Sequence, residues 1–249
     1  AMAKNMERDN FKEIAAKKIA AMANNMENDD LKDIGGKKIA AMAKNMEREN
    51  FKEIAAKKLA AMANNMEDTD LKDIGGNKIA AMAKNMERDN FKEIGAKKLA
   101  AMAKNMERDN FKEIGGDKVV SMAKEIGRER LATIGNEQAK GMTRAMKGEQ
   151  VYSLDSDQIV GLAKGIKTRE ISEVGEERLL AMTAKINKAD LKTLERERLS
   201  SMMGAIKGKQ IGKLKEDKKA SIVSHLNANF FGSERMKFKE IEETTSQNK

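Results

Sequence analysis

KKIAAMANNMENDDLKDIGG, residues 17–36, holds one complete structural unit, and its spacing decides the fold. Ile19, Met22, Ala23 and Met26 fall at i, i+3, i+4 and i+7, one face of a helix running roughly from Lys17 to Met26. A polar break follows at 27–30. There Asp30, with Asp33 three residues on, has the spacing of a weak capping box, as do Asn10 and Glu13 one unit earlier. Leu31–Ile34 then reads as a helix of one to two turns. Gly35 suits a left-handed residue ending it, as do Gly75, Gly95, Gly115, Gly135 and Gly175.

The unit repeats every 20 residues without insertion or deletion: Met2, Met22, Met42 and so on to Ile222; Met6 to Leu226; Phe11 to Phe231. Further apolar columns run from Ile14 to Leu214 and from Ile19 to Leu199. Residues 1–40 and 41–80 differ at only five positions (9, 19, 28, 29 and 37), so the early array is built of copied 40-residue doublets and identity there says little about need. From about residue 121 the apolar columns persist while much else drifts. Neither helix of a unit can bury its face alone, and helices under about 12 residues are marginal in isolation. The expected fold is therefore all-α: an α-solenoid, or superhelix, of about eleven short-helix/long-helix repeats stacked on one core. Its parts are near-identical repeats over 1–126, diverged repeats over 127–219, a C-terminal cap over 220–232 closed by Phe230 or Phe231, and a polar tail over 233–249. Met2 and Met6 are already in phase, so further repeats are expected to precede residue 1.

Composition narrows the chemistry. The chain has no Pro, Cys or Trp, and 36% of its residues are charged. Without cysteine there is no disulfide framework and no thiolate metal site. No apolar run approaches a membrane span. The Met-x-x-x-Met pairs have soft-metal spacing, but Ile and Leu replace them in later units, as a core tolerates and a ligand set does not. Acidic clusters such as Glu27, Asp29 and Asp30 lack the ligand alternation of a calcium loop and skip every other unit. His225 is the single histidine, which leaves no triad or zinc site to assemble. No catalytic residue, metal or cofactor is expected, and the chain reads as a non-enzyme.

The expected function is a scaffold presenting an extended regular surface to a protein partner or to copies of itself. The alternative is polyanion binding, to nucleic acid or an anionic membrane surface, since the net charge is +9 and Lys18, Lys38, Lys58, Lys78, Lys98 and Lys118 stack in one column. A second basic column carries Lys44, Lys84, Lys104 and Lys124 near Arg48, Arg88, Arg108 and Arg128. Ile34-Gly35-Gly36-Lys37 locally resembles the Gly-Gly loop between the helices of TALE-type DNA-binding repeats. The likeness stops at that loop: the unit here is 20 residues, the pair becomes Ala-Ala at 15–16 and 55–56, and no site residue carries over. A third reading takes the alternation of Lys44 and Arg48 with Asn24 and Asn28 as a 40-residue spacing ruler.

Helix-face geometry places positions 17, 18, 21, 24, 25 and 28 outside. The expected contact surface is the stripe Lys18, Ala21, Asn25; Lys38, Ala41, Asn45; Lys58, Ala61, Asn65; and Lys78, Ala81, Asn85. Small residues there would allow another helix to come close. Packing of the alanines against the adjacent unit is the competing reading.

Overall fold

The computed structural model describes residues 5–227; the expected cap residues Phe230 and Phe231 and the polar tail lie outside the described residues. Within them there are 22 helices and no strand. Short and long helices alternate with the period read from the sequence, and the chain is an all-α solenoid. Long helices such as Ala16–Asn25, Gly36–Asn45 and Ala56–Asn65 have ten residues each. The short ones are either one and a half turns of α-helix, as Asn28–Ile34, or 3-10 helix, as Arg8–Glu13.

The units interlock over more than nearest neighbours. Long helix Gly36–Asn45 packs on the long helices before and after it, on short helix Arg8–Glu13 behind and on short helix Asp68–Ile74 ahead. Gly76–Asn85 repeats this between Arg48–Glu53 and Arg108–Ile114. The apolar columns fill the space between: Phe51, Met62, Leu71, Met82 and Phe91 have no exposed surface. Met22 and Met26, in the first full unit, are only half-buried.

Three expectations need correction. The long helix buries a wider arc than the 19, 22, 23 and 26 positions. Ala40, Ala60 and Ala80 are buried too, and so are Ala41, Ala81 and Ala101 of the expected outer stripe, with Ala61 half-buried and Ala21 alone exposed. The cause is close approach of a short helix about 30 residues back. Where the column drifts to glycine, a Cβ on Gly141 would lie 2.7 Å from Phe111 and 2.9 Å from the Arg108 backbone, and one on Gly161 would lie 2.6 Å from the Arg128 carbonyl.

The short-helix cap sits three residues earlier than expected. Glu27, not Asp30, is the N-cap, and its N–H donates to Asp30 Oδ2 at 3.2 Å. Asn50, Asp70, Asn90 and Gln150 accept in the same way from residues 47, 67, 87 and 147.

The inter-helix turn has two forms. Gly35, Gly75, Gly115, Gly135 and Gly175 have φ of 79 to 114° with ψ of 143 to 154°, a region open essentially to glycine but extended in ψ rather than left-handed helical. Gly95 does not join them. With φ −59° and ψ 140° it follows Ala15 and Ala55, because its N–H donates to Asn64 Oδ1 just as that of Ala55 donates to Asn24 Oδ1. The 40-residue alternation is thus at least in part a matching of Asn24-type residues to one turn form and Lys44-type residues to the other.

Candidate interaction surface

The expected Lys18-Ala21-Asn25 stripe is largely consumed by the fold. Lys58 and Lys98 donate to the carbonyls of Met26 and Met66, the C-caps of long helices 32 residues back. Lys78 and Lys118 reach the carbonyls of Lys44 and Lys84 in the same role. These are orphan acceptors at the negative end of a helix, where a cation is favoured. The drifted units keep the function while changing the residue: Gln138 donates to Met106, Arg178 to Met146, Arg198 to Ile166 and Lys218 to Ile186. Burial pulls the Lys78, Lys118 and Lys218 ammonium groups below their ordinary range. Lys38 is also engaged. Asn45, Asn65 and Asn85 turn back on their own helices, donating to the carbonyls of Ala41, Ala61 and Ala81 at 2.7 to 2.8 Å. The second basic column is partly tied down as well. Arg48 bridges to Glu113, while Arg128 binds Asp157, Asp190 and Thr193.

One column breaks its own rule. Ala40, Ala60, Ala80, Val120 and Val160 are buried apolar residues, but at the same station stands Lys140, 3% exposed. Its ammonium lies 2.6 Å from Glu170, 2.9 Å from Glu137 and 3.0 Å from Glu173, and Asn136 adds a 2.6 Å bond to Glu170. Burial opposes the lysine's charge, but these hydrogen bonds outweigh it and hold the ammonium well above its ordinary range. The bonds from Lys140, and secondarily from Asn136, hold Glu170 down to about 2. Every member has a partner, so the cluster reads as a satisfied ionic knot.

What stays outside are two columns the sequence reading did not single out. The column of Lys17 is exposed in all eleven units: Lys17, Lys37, Lys57, Asn77 and Lys97, then Asp117, Glu137, Asp157, Glu177, Glu197 and Asp217. The column of Glu7 is exposed at every station except the half-buried Gly127 and has the opposite polarity: glutamate at 7, 27, 47, 67, 87 and 107, then Lys147, Lys167, Asn187 and Lys207. Both change sign at about the same unit. They share a face, since Arg108 next to Glu107 lies 4.0 Å from Glu137, Gly148 next to Lys147 donates to Glu177 at 3.0 Å, and Lys207 lies 3.8 Å from Glu176. Lys17, Lys37, Lys57 and Lys97 make no ion pair among the described residues. Asp157 and Glu137 each use one carboxylate in an internal pair. Reading each column for charge against unit number would have found the reversal.

Two concavities accompany this surface. One of about 500 Å³ is ringed by Arg108, Lys112, Arg144 and Arg178 with Asp109 and Glu173. One of about 850 Å³ lies beside Lys188, Lys192, Asp217 and His225. His225 Nε2 is 3.2 Å from the Leu194 carbonyl. Among the described residues no group of three or more His, Asp or Glu is arranged to hold a metal ion, and no helix is long and apolar enough to cross a membrane. No family model, curated protein or solved structure matches the chain.

Proposed function

We propose that the chain is a non-catalytic scaffold that binds protein, another molecule or a further copy of itself, through its regular outer face. One observation carries this reading: two charged columns run the length of the array, exposed in nearly every unit and mostly unused by internal capping. A column that only kept the chain in solution would have no reason to hold one sign over half its length and the other sign over the rest. Cross-linking and sedimentation of the purified chain, alone and with candidate proteins, test the proposal; turnover of any substrate by the purified chain would sink it.

Polyanion binding through stacked lysines has less behind it, because the Lys58, Lys78, Lys98 and Lys118 ammonium groups point at helix carbonyls. A salt titration against a labelled oligonucleotide separates the two readings. Counterion release makes polyanion affinity fall steeply and linearly in log salt, whatever the sequence.

A further inference from the structure

We infer that two copies of this chain pair side by side and antiparallel along the face that carries the Glu7 and Lys17 columns. The inference rests on the scaffold reading and names its partner. A two-fold contact brings one patch onto the same patch of a second copy, so a surface of this kind must be complementary to its own reversal. The Lys17 column meets that condition in one register. With the axis between Lys97 and Asp117, Lys97 of each copy faces Asp117 of the other, Lys57 faces Asp157, Lys37 faces Glu177 and Lys17 faces Glu197. The remaining station pairs Asn77 with Glu137, so no like charges meet in this column.

The same axis passes through Glu107 of the second column, and this makes the two columns independent witnesses. Reversed about it, Glu7 faces Lys207, Glu47 faces Lys167 and Glu67 faces Lys147. Glu27 meets Asn187, and Glu87 meets Gly127. The one like-charge contact is Glu107 with its own copy, on the axis. A parallel pairing in register would put lysine on lysine and glutamate on glutamate at almost every station of both columns. The pattern therefore favours one direction and penalises the other, as charge does when it sets partner orientation. Because the repeat is gap-free, both copies share a pitch, and the match holds from unit to unit.

Internal ion pairing alone does not account for the reversal. Of the Lys17-column lysines none is in an internal ion pair, although the Glu7-column carboxylates share their face. Glu197, at the other end, likewise makes none.

Analytical ultracentrifugation of the whole chain should show a dimer that weakens roughly tenfold or more between low and high salt, as exposed pairs are screened. K17E/K37E and E177K/E197K should each be monomeric with unchanged helicity, and mixing the two should restore a dimer, since each reversed half then meets its complement. Should a reversed variant lose helicity, K17Q/K37Q and E197Q replace it. The chain has no cysteine, which permits a register test. E107C should form a disulfide-linked dimer on mild oxidation and E27C should not. Cross-linking of both would mean a parallel pair, and a dimer indifferent to the charge reversals would mean another face. Either result overturns the inference, as does a wild-type monomer at all salt concentrations. A monomer that still captures another protein would leave the scaffold reading standing.

Discussion

At the residue scale, glycines of identical sequence setting behave in opposite ways. Gly75 needs φ 87° but has open space where a Cβ would go, so Gly75→Ala is a nearly pure conformational penalty, about 2 kcal/mol. Gly95 has φ −59° and only ordinary contact for a Cβ, so Gly95→Ala should stabilise by about 0.5–1 kcal/mol through the unfolded chain. Urea denaturation midpoints of the two variants should move in opposite directions. The sequence could not separate them, because the turn form at Gly95 is matched to Asn64, 31 residues away. Lys140 was equally illegible: a charged residue at an apolar station looks like drift until three glutamates converge on it. Lys140→Ala leaves those carboxylates around a small void and should cost about 3 kcal/mol. Its partner gives a pH signature. The folded pKa of Glu170 is depressed to about 2 from 4.5, so its contribution is complete above pH 4.5 and is lost as pH falls toward 2. Glu170→Gln should flatten stability against pH across that window, measured by denaturation midpoints.

At the element scale, the long helix is defined less by its own sequence than by what closes its C-terminal end. Lys98 serves the Met66 carbonyl, and Gln138 serves the Met106 carbonyl at the corresponding place. Lys98→Gln should therefore leave the melting temperature nearly unchanged. Lys98→Ala should cost about 1 kcal/mol by orphaning a half-buried acceptor. Equal losses in both variants would show that charge, not hydrogen bonding, is what the column supplies. Helix existence and spacing were plain in the sequence because Ile, Leu, Met and Phe recur at helical intervals. The width of the buried arc was not. Alanine is neutral in such patterns, and Ala40 and Ala41 are buried because a neighbouring short helix approaches closely, which one helix's periodicity does not report. The exposed lysine column was misread for a related reason: the ammonium's destination lies 32 residues back.

For the whole molecule, matching between units sets what can be removed. Deleting 41–80 takes out a full doublet and rejoins Asn24-type and Lys44-type units in their present order. Deleting 41–60 removes half as many residues but sets Asn24 against the Gly75 turn, whose φ is positive, in place of the Ala55 turn it now caps. The smaller deletion should lower the melting temperature more than the larger, followed by circular dichroism; the reverse order would mean that the units are interchangeable. The period was visible in the sequence, but this two-state alternation became readable only once residues 31 apart were seen to touch. The reach of those contacts has a mechanical consequence. The bridges Arg48–Glu113 and Arg128–Thr193 span 65 residues, so each boundary is sewn by side chains from about three units on either side. Pulled from its ends, such an array carries load in series through overlapping stitches. One failed stitch shifts tension to its neighbours before any helix is released, so the rod should stretch and recoil elastically before it tears.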